Sequence, residues 1–379
     1  MKTNWQIKKL GEVCDVYQPK TISAKQMVAN GEYVVFGANG VIGRYDKYNH
    51  EDSQLLITCR GATCGSVNIS TPKSWITGNA MVVRPKNEFL LLKYLEYIFR
   101  GGIDVSKVIT GTAQPQITRA NLEPIEISFP LPVEQDRIVK KLDEVFEKIA
   151  KAKENAEKNL RNSKELFESY LQSVFANPGK GWVEKSLEQL GQITSSKRIY
   201  KKEYVKEGVP FYRIKEVKEL AHDKNIAIEL FISNKRYKEI KEVFGVPAEG
   251  DILMTAVGTI GEIYVVGKDG DFYFKDGNVL WFKDFNSVDP YFLKFVLMSF
   301  VENIRKLSKG SAYSALTIEK LEKHKIFLPQ SLSEQKSIVK RLDALSVETK
   351  KLEQIYKQKL ADLDELKKSV LKRAFAGEL

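Results

Sequence analysis

The sequence predicts an α+β fold: two similar mixed α/β domains separated by two long antiparallel coiled-coil helices, with a pseudo-two-fold internal duplication. Three observations predict it. Residues 134–177 return without a gap, 200 positions later, as residues 334–377. Within that stretch the apolar residues step alternately by four and three. Ahead of each copy lies a segment of domain size, and these two segments repeat more loosely at glycines and turn residues. The expected division is 1–132 and 178–331 for the globular domains, with 133–177 and 332–379 for the helices.

The first globular segment reads as short strands. Tyr33-Val34-Val35-Phe36, Leu55-Leu56-Ile57 and Ala80-Met81-Val82-Val83 are strand-like, Asn39-Gly40 signals a turn, and 90–99 reads as a helix. Pro130-Leu131-Pro132 stops the last strand and places helix onset at Glu134-Gln135, where acid suits the positive end of the dipole.

In the first helix the seam is Ile138, Leu142, Val145, Ile149, Ala152 and Ala156. It weakens around 159–163 and recovers at Phe167, Tyr170 and Val174. Asn177-Pro178-Gly179-Lys180-Gly181 ends the helix.

The second globular segment repeats the plan. Trp182 with Leu190-Gly191 answers Trp5 with Leu10-Gly11, Thr259-Ile260-Gly261 answers Thr63-Cys64-Gly65, and Gly277-Asn278 answers Gly78-Asn79. Gly310-Ser311-Ala312 answers Gly111-Thr112-Ala113. Ile252-Leu253-Met254, Ile263-Tyr264-Val265-Val266 and Val279-Leu280-Trp281-Phe282 are the counterpart strands, and 291–304 the counterpart helix. The shared points are turns and the residues between them differ, so the backbone plan is common and the displayed surface is not.

Pro329 precedes the second helix. Its seam is Ile338, Leu342, Leu345, Leu352, Tyr356, Leu363, Leu366 and Val370, with Thr349 a polar interruption. From Glu134 to Phe175 a helix runs about 63 Å at ~1.5 Å per residue. A stripe so narrow over that length needs a partner helix, and the partner of matching length is the other copy.

Net charge is +11, which favours a polyanionic partner. Basic residues cluster with tyrosines at Lys197, Arg198, Tyr200, Lys201, Lys202, Tyr204 and Lys206, and again at Arg213 with Lys215 and at Lys235-Arg236 with Lys238. The first half offers Lys20, Lys25, Arg44, Arg60 and Arg119. Cys14, Cys59 and Cys64 form no CxxC pair, which argues against a zinc site or a disulfide framework. Residue 1 onward carries no signal-peptide pattern and Lys294 interrupts the most apolar run, so the expectation is a soluble cytoplasmic chain.

Fragments that resemble catalytic motifs fail on context. Asp289-Pro290-Tyr291-Phe292 lacks the second proline of an amino-methyltransferase loop and reads as a helix start. Gly37, Gly40 and Gly43 lie between strands, which makes a hairpin rather than a nucleotide loop. Glu216-Val217-Lys218 has no upstream Pro-Asp. His50, His222 and His324 stand in polar surroundings, with no triad or metal pattern, so the sequence makes no case for chemistry of its own.

Two variable domains alternate with helices that begin Pro-x-x-x-Glu-Gln-x-x-Ile-Val-x-x-Leu-Asp and end Leu-x-x-x-Phe-Ala. This resembles the DNA-specificity subunit of type I restriction-modification systems. Trp5 with Leu10-Gly11-Glu12-Val13, Gly111-Thr112-Ala113-Gln114-Pro115-Gln116-Ile117 and the closing Ala376-Gly377-Glu378-Leu379 extend the resemblance over the whole chain. The second half departs from the glutamine-bearing loop at Gly310-Ser311-Ala312-Tyr313-Ser314-Ala315-Leu316, so no base contact carries over to Tyr313.

The resemblance implies two target-recognition domains, each reading one half of a split double-stranded DNA site. It implies a spacer between them, two methyltransferase subunits and restriction subunits as partners, and S-adenosylmethionine, ATP and Mg on those partners with no cofactor in this chain. Loop placement and donor chemistry then mark Lys20, Arg44, Arg60, Gln114 and Gln116 in the first domain as candidates for DNA contact. Arg198, Tyr200, Arg213, Lys215 and Arg236 are the candidates in the second. On the residues alone, a coiled-coil scaffold whose globular ends bind protein partners stays open. Salt dependence of duplex binding separates the two.

Overall fold

The computed structural model describes residues 5–379 except 38, 112–113, 257–259, 269, 276 and 308–316, and except the side chains of 304–307. The turn residues Thr112-Ala113, Thr259 and Gly310 through Leu316 therefore lie outside the described residues. The chain divides into two compact units, 1–158 with 356–379 and 159–355, so each globular domain takes parts of both long helices.

The first domain runs β1 (Gln6–Lys9), α1 (Leu10–Val13), β2 (Cys14–Tyr17), β3 (Tyr33–Gly37), β4 (Gly40–Tyr45), β5 (Leu55–Thr58), β6 (Val67–Ile69), β7 (Trp75–Ile76), β8 (Ala80–Pro85), α2 (Leu92–Tyr97), α3 (Arg119–Leu122) and β9 (Glu126–Phe129). The helix α4 (Pro132–Ala176) follows.

The second domain runs β10 (Trp182–Ser186), β11 (Gln192–Thr194), β12 (Tyr204–Val205), β13 (Val209–Tyr212), α5 (Ile214–Ala221), β14 (Phe231–Ile232), α6 (Asn234–Val243), β15 (Ile252–Thr255), β16 (Ile263–Val265), β17 (Tyr273–Phe274), β18 (Val279–Lys283), α7 (Pro290–Leu307), α8 (Ile318–Glu322) and β19 (Lys325–Pro329). The helix α9 (Leu332–Ala376) closes the described chain.

The duplication is topological. Each domain has an antiparallel pair, β1-β9 or β10-β19, and a four-stranded antiparallel sheet, β2-β8-β5-β6 or β11-β18-β15-β16. A second sheet follows, and here the copies part: β4-β3-β7 in the first domain, β12-β14-β13-β17 in the second. The parallel pairing of β3 with β7 is matched by that of β13 with β17.

Strand β5 is buried on both sides. Leu55 and Ile57 enter the main core with α2 and α4, while Leu56 packs under the second sheet with Phe36 and Ile76. Strand β15 repeats this, with Ile252 and Met254 in one core and Leu253 in the other. Alternation of side chains along a strand makes one sheet serve two cores.

In the first unit the start of α4 and the end of α9 share one core, through Ile138, Leu142, Leu371, Ala374 and Phe375. Lys153 Nζ meets Asp364 Oδ1 at 2.5 Å, and Lys367 lies over the Phe146 ring. In the second unit Leu171 near the end of α4 joins Ile338 and Leu342 near the start of α9. Start against end in both units makes the helices antiparallel.

Helix onset comes two residues ahead of the Glu-Gln pair in each copy, with Pro132 at the first position of α4, where its missing N–H costs nothing. The seam differs from its sequence reading at particular residues. Ser163 and Thr349 are buried, because each hydroxyl donates to the carbonyl four residues back, Asn159 and Leu345. Tyr170, Leu352 and Leu366 are only partly covered, 37 to 46% exposed, and Leu171 and Leu371 are buried instead. A straight helix drifts against a strict seven-residue repeat, which moves burial by one position near the helix ends.

Gln135 and Gln335 are fully buried and do the same thing twice. Gln135 Oε1 accepts from Leu91 N at 2.9 Å, and its Nε2 donates to Phe89 O and Pro130 O at 2.7 and 2.8 Å. Gln335 accepts from Asp289 N at 2.7 Å and donates to Pro329 O at 2.9 Å and Ser287 O at 3.4 Å. Each amide fastens a long helix to the segment entering the domain's own helix, α2 or α7.

Candidate nucleic-acid interface

In the first domain the loops at one end of the central sheet converge. Arg60, just past β5, pairs through its backbone with Gln116, which also pairs with Thr110. Gly61 N donates to Pro115 O at 3.1 Å and Ile117 N to Cys59 O at 3.0 Å. Gln18 Nε2 joins the cluster by donating to Gly78 O at 2.9 Å. Arg60, Gln114 and Gln116 are thus held on facing segments with their side chains exposed. Lys20, two residues after Gln18, is exposed and lines an open pocket with Tyr17, Asn49, His50 and Arg84.

Arg44 lies elsewhere. Strand β4 begins at the hairpin, and Arg44 sits four residues further along, roughly 13 Å away at ~3.3 Å per residue. Its guanidinium donates to Gly31 O and Glu32 O at 2.5 and 2.7 Å, which braces the strand from its far end.

The second domain carries its candidates on a different scaffold. Where the first has the β3–β4 hairpin, the second has β14 with α5 and α6, filled by Val217, Tyr237 and Ile240. Arg213 stands at the N-cap position of α5: its guanidinium bonds Glu216 Oε1 at 2.6 Å and Glu229 Oε2 at 2.7 Å, and Lys215 reaches the other Glu229 oxygen at 2.7 Å. Arg236 Nε lies 2.9 Å from Glu203, whose carboxylate also accepts from Tyr200 N at 2.7 Å. So Tyr200 and Arg236 meet through one acid, and Arg213 and Lys215 through another. Arg198 is exposed and Tyr200 is more than half exposed, one residue either side of buried Ile199. The acids were the partners that sequence reading missed; Glu216 stands at i,i+3 from Arg213, while Glu229 and Glu203 leave no local pattern.

The Arg213 cluster gives a pH prediction. Hydrogen bonds from Lys215 and Arg213 pull Glu229 down to about 2. Burial pushes Glu216 up, but the Arg213 side-chain and backbone bonds outweigh it and leave the group below its ordinary value. A depressed carboxyl contributes stability that is complete above its unfolded pKa of ~4.3 and lost as pH falls toward the folded value. Unfolding midpoints of the wild type should therefore drop between roughly pH 4.5 and 2 more steeply than those of Glu229→Gln. Parallel curves would remove the cluster from the account.

Among the described residues no group of three His, Cys, Asp or Glu side chains is placed to hold a metal. Cys14 and Cys59 are buried and Cys64 is half-buried, all free thiols, and burial pushes Cys14 up to about 12. No described helix is long and apolar enough to cross a membrane.

A duplicated framework whose second sheets differ is the plan of a recognition subunit. The model of the type I restriction modification DNA specificity domain matches residues 2–159 and 179–361, and the chain belongs to that family. It supplies DNA sequence specificity and is a non-catalytic subunit.

A Haemophilus influenzae chain provisionally named a type I restriction enzyme specificity subunit is 26% identical over 350 residues, spanning 89% of this chain and 86% of that one. The EcoBI specificity subunit of Escherichia coli is 29% identical over 181 residues, 46% of this chain and 36% of its own. The crystal structure of the HsdS subunit from Thermoanaerobacter tengcongensis has a TM-score of 0.65 at 20% identity, covering 100% of this chain and 98% of that one. A chain solved in work on complex assembly and conformational transition of the type I R-M system has a TM-score of 0.78 at 19% identity, with 100% and 99% covered. At such identities the structural likeness is one of fold.

Proposed function

We propose that this subunit reads a bipartite duplex site, one half per globular domain, and recruits methyltransferase and restriction subunits that act on it. The observation that carries the reading is the pairing of one sheet topology, used twice, with second sheets that differ. A common framework suits common partners, and unlike surfaces suit unlike half-sites.

In the first domain Arg60, Gln114 and Gln116 are the base-edge readers and Lys20 grips phosphate. In the second, Arg198 and Tyr200 contact DNA directly. Arg213, Lys215 and Arg236 act from within their ion clusters, adding positive surface and holding α5 and α6 in place; Arg44 does the same for β4. S-adenosylmethionine, ATP and Mg belong to the partner subunits, and the complex works in the cytoplasm, where its DNA is. The antiparallel helices set the length of the gap between half-sites.

The test is binding and methylation by the assembled methyltransferase complex. Affinity for a cognate duplex should fall about 10³-fold or more between 50 and 200 mM salt, as phosphate contacts release counterions. Arg60→Ala should relax preference at a single base pair by about tenfold while leaving the salt slope nearly unchanged. Duplex affinity without a salt slope would favour a protein-binding scaffold and end this reading.

A further inference from the structure

We infer that Asn39 is a specificity-determining residue of the first domain, presenting its side-chain NH₂ as a fixed donor to an acceptor on a base edge, guanine O6/N7 or thymine O4. This rests on the reading that the first domain addresses one half-site.

Strands β3 and β4 pair up to Gly37 opposite Gly40, and Asn39 is exposed in the turn just before Gly40. Gly40 carries the turn with φ +113°, a conformation in which a side chain would be strained. Asn39 Oδ1 accepts from Thr58 Oγ1 at 3.0 Å and from Thr63 Oγ1 at 2.7 Å. Thr58 is fully buried at the end of β5, and Thr63 belongs to the loop that also holds Arg60.

Two donors occupy both lone pairs of one oxygen. That holds the side-chain torsion, and with Oδ1 taken up by the two hydroxyls Nδ2 is turned away from them. Among the described residues Nδ2 has no partner. A polar group fixed before binding loses little freedom when it meets DNA, so it discriminates more sharply than a mobile one. Thr58 and Thr63 are then positioning residues.

The second domain has no such device among its described residues. Thr255, at the place of Thr58, receives Glu262 N on its hydroxyl at 3.0 Å, and among the described strands β14 takes the place of the β3–β4 hairpin. The effect should therefore touch one half-site only.

The experiment is methylation of a pool of duplexes, randomised one position at a time, by the complete methyltransferase complex carrying Asn39→Ala, Asn39→Asp, Thr63→Val or Arg60→Ala. Asn39→Ala should cost about tenfold in discrimination at one base pair of the first-domain half-site and nothing in the other half. Asn39→Asp puts an acceptor where the donor stood, so preference at that pair should move to a base offering an amino group, adenine or cytosine. Thr63→Val should keep the preferred base and soften the same position. If Asn39→Ala lowers activity on every sequence alike, or changes nothing while Arg60→Ala still relaxes its own position, Asn39 is not a reader. If neither variant alters any position, the reading of the whole loop cluster falls with it.

Discussion

Gln135→Ala is expected to destabilise the protein by about 3 kcal/mol, the sum of a lost amide and three backbone groups left without partners. The side chain is fully buried, and its bonds to Leu91, Phe89 and Pro130 all lie between 2.7 and 2.9 Å. Gln135→Glu should be as damaging as alanine. A carboxylate could still accept from Leu91 N, but it would face two carbonyl oxygens with no proton to offer and a charge to bury. Gln335→Ala should cost somewhat less, since the bond to Ser287 O is 3.4 Å and already weak. Urea denaturation midpoints of the four proteins, wild type included, check the order. A Gln135→Glu protein as stable as wild type would mean that the amide nitrogen does not hold the helix start.

Inserting four residues into each of α4 and α9 at equivalent positions should lengthen the non-specific gap of the recognised site. Four residues add about 6 Å of helix, a little under two base pairs at ~3.4 Å per pair, with about 40° of added rotation. Four also shifts the apolar seam by half a heptad, which costs stability. Inserting seven keeps the seam and adds about 10.5 Å, close to three base pairs. Mapping methylated positions in the assembled complex should therefore show longer gaps for both, with the seven-residue variant retaining more activity. An unchanged gap would remove the ruler role from the helices.

How far the chain could be read without coordinates depends on the range of the interactions involved. The two helices were legible because burial every three or four residues is a local pattern, and Ile138, Leu142, Ile338 and Leu342 are all in their cores. Strands β3, β5, β8, β15, β16 and β18 were legible for the same reason, as apolar runs between turn residues. The exchange of a hairpin for β14 and two helices was not, because the lysine-rich stretch around Lys235 reads as surface until Tyr237 and Ile240 find a core.

The candidate interface divides along the same line. That Arg60 and Gln116 meet is a backbone pairing across more than fifty residues, with no periodicity to announce it. Donor chemistry marked Arg213, Lys215 and Arg236 as basic, but they are not loop-borne: Lys215 lies in α5, Arg236 in α6 and Arg213 at the α5 N-cap, and each has an acid 16, 14 or 33 positions away, too far for a sequence pattern to match. The Glu-Gln pair shows the limit most plainly. Its recurrence marked a helix onset, yet the work of the glutamine is done on carbonyls and an amide up to 48 residues distant.

By itself the sequence determined the duplication, the length and polarity pattern of the helices, the strand-rich domains and the positive charge, all of which follow from order along the chain. Only the tertiary structure decided which polar groups are spent on one another and which face outward. Hydrogen bonds and ion pairs form between groups that folding brings within about 3 Å, and chain order does not encode that distance.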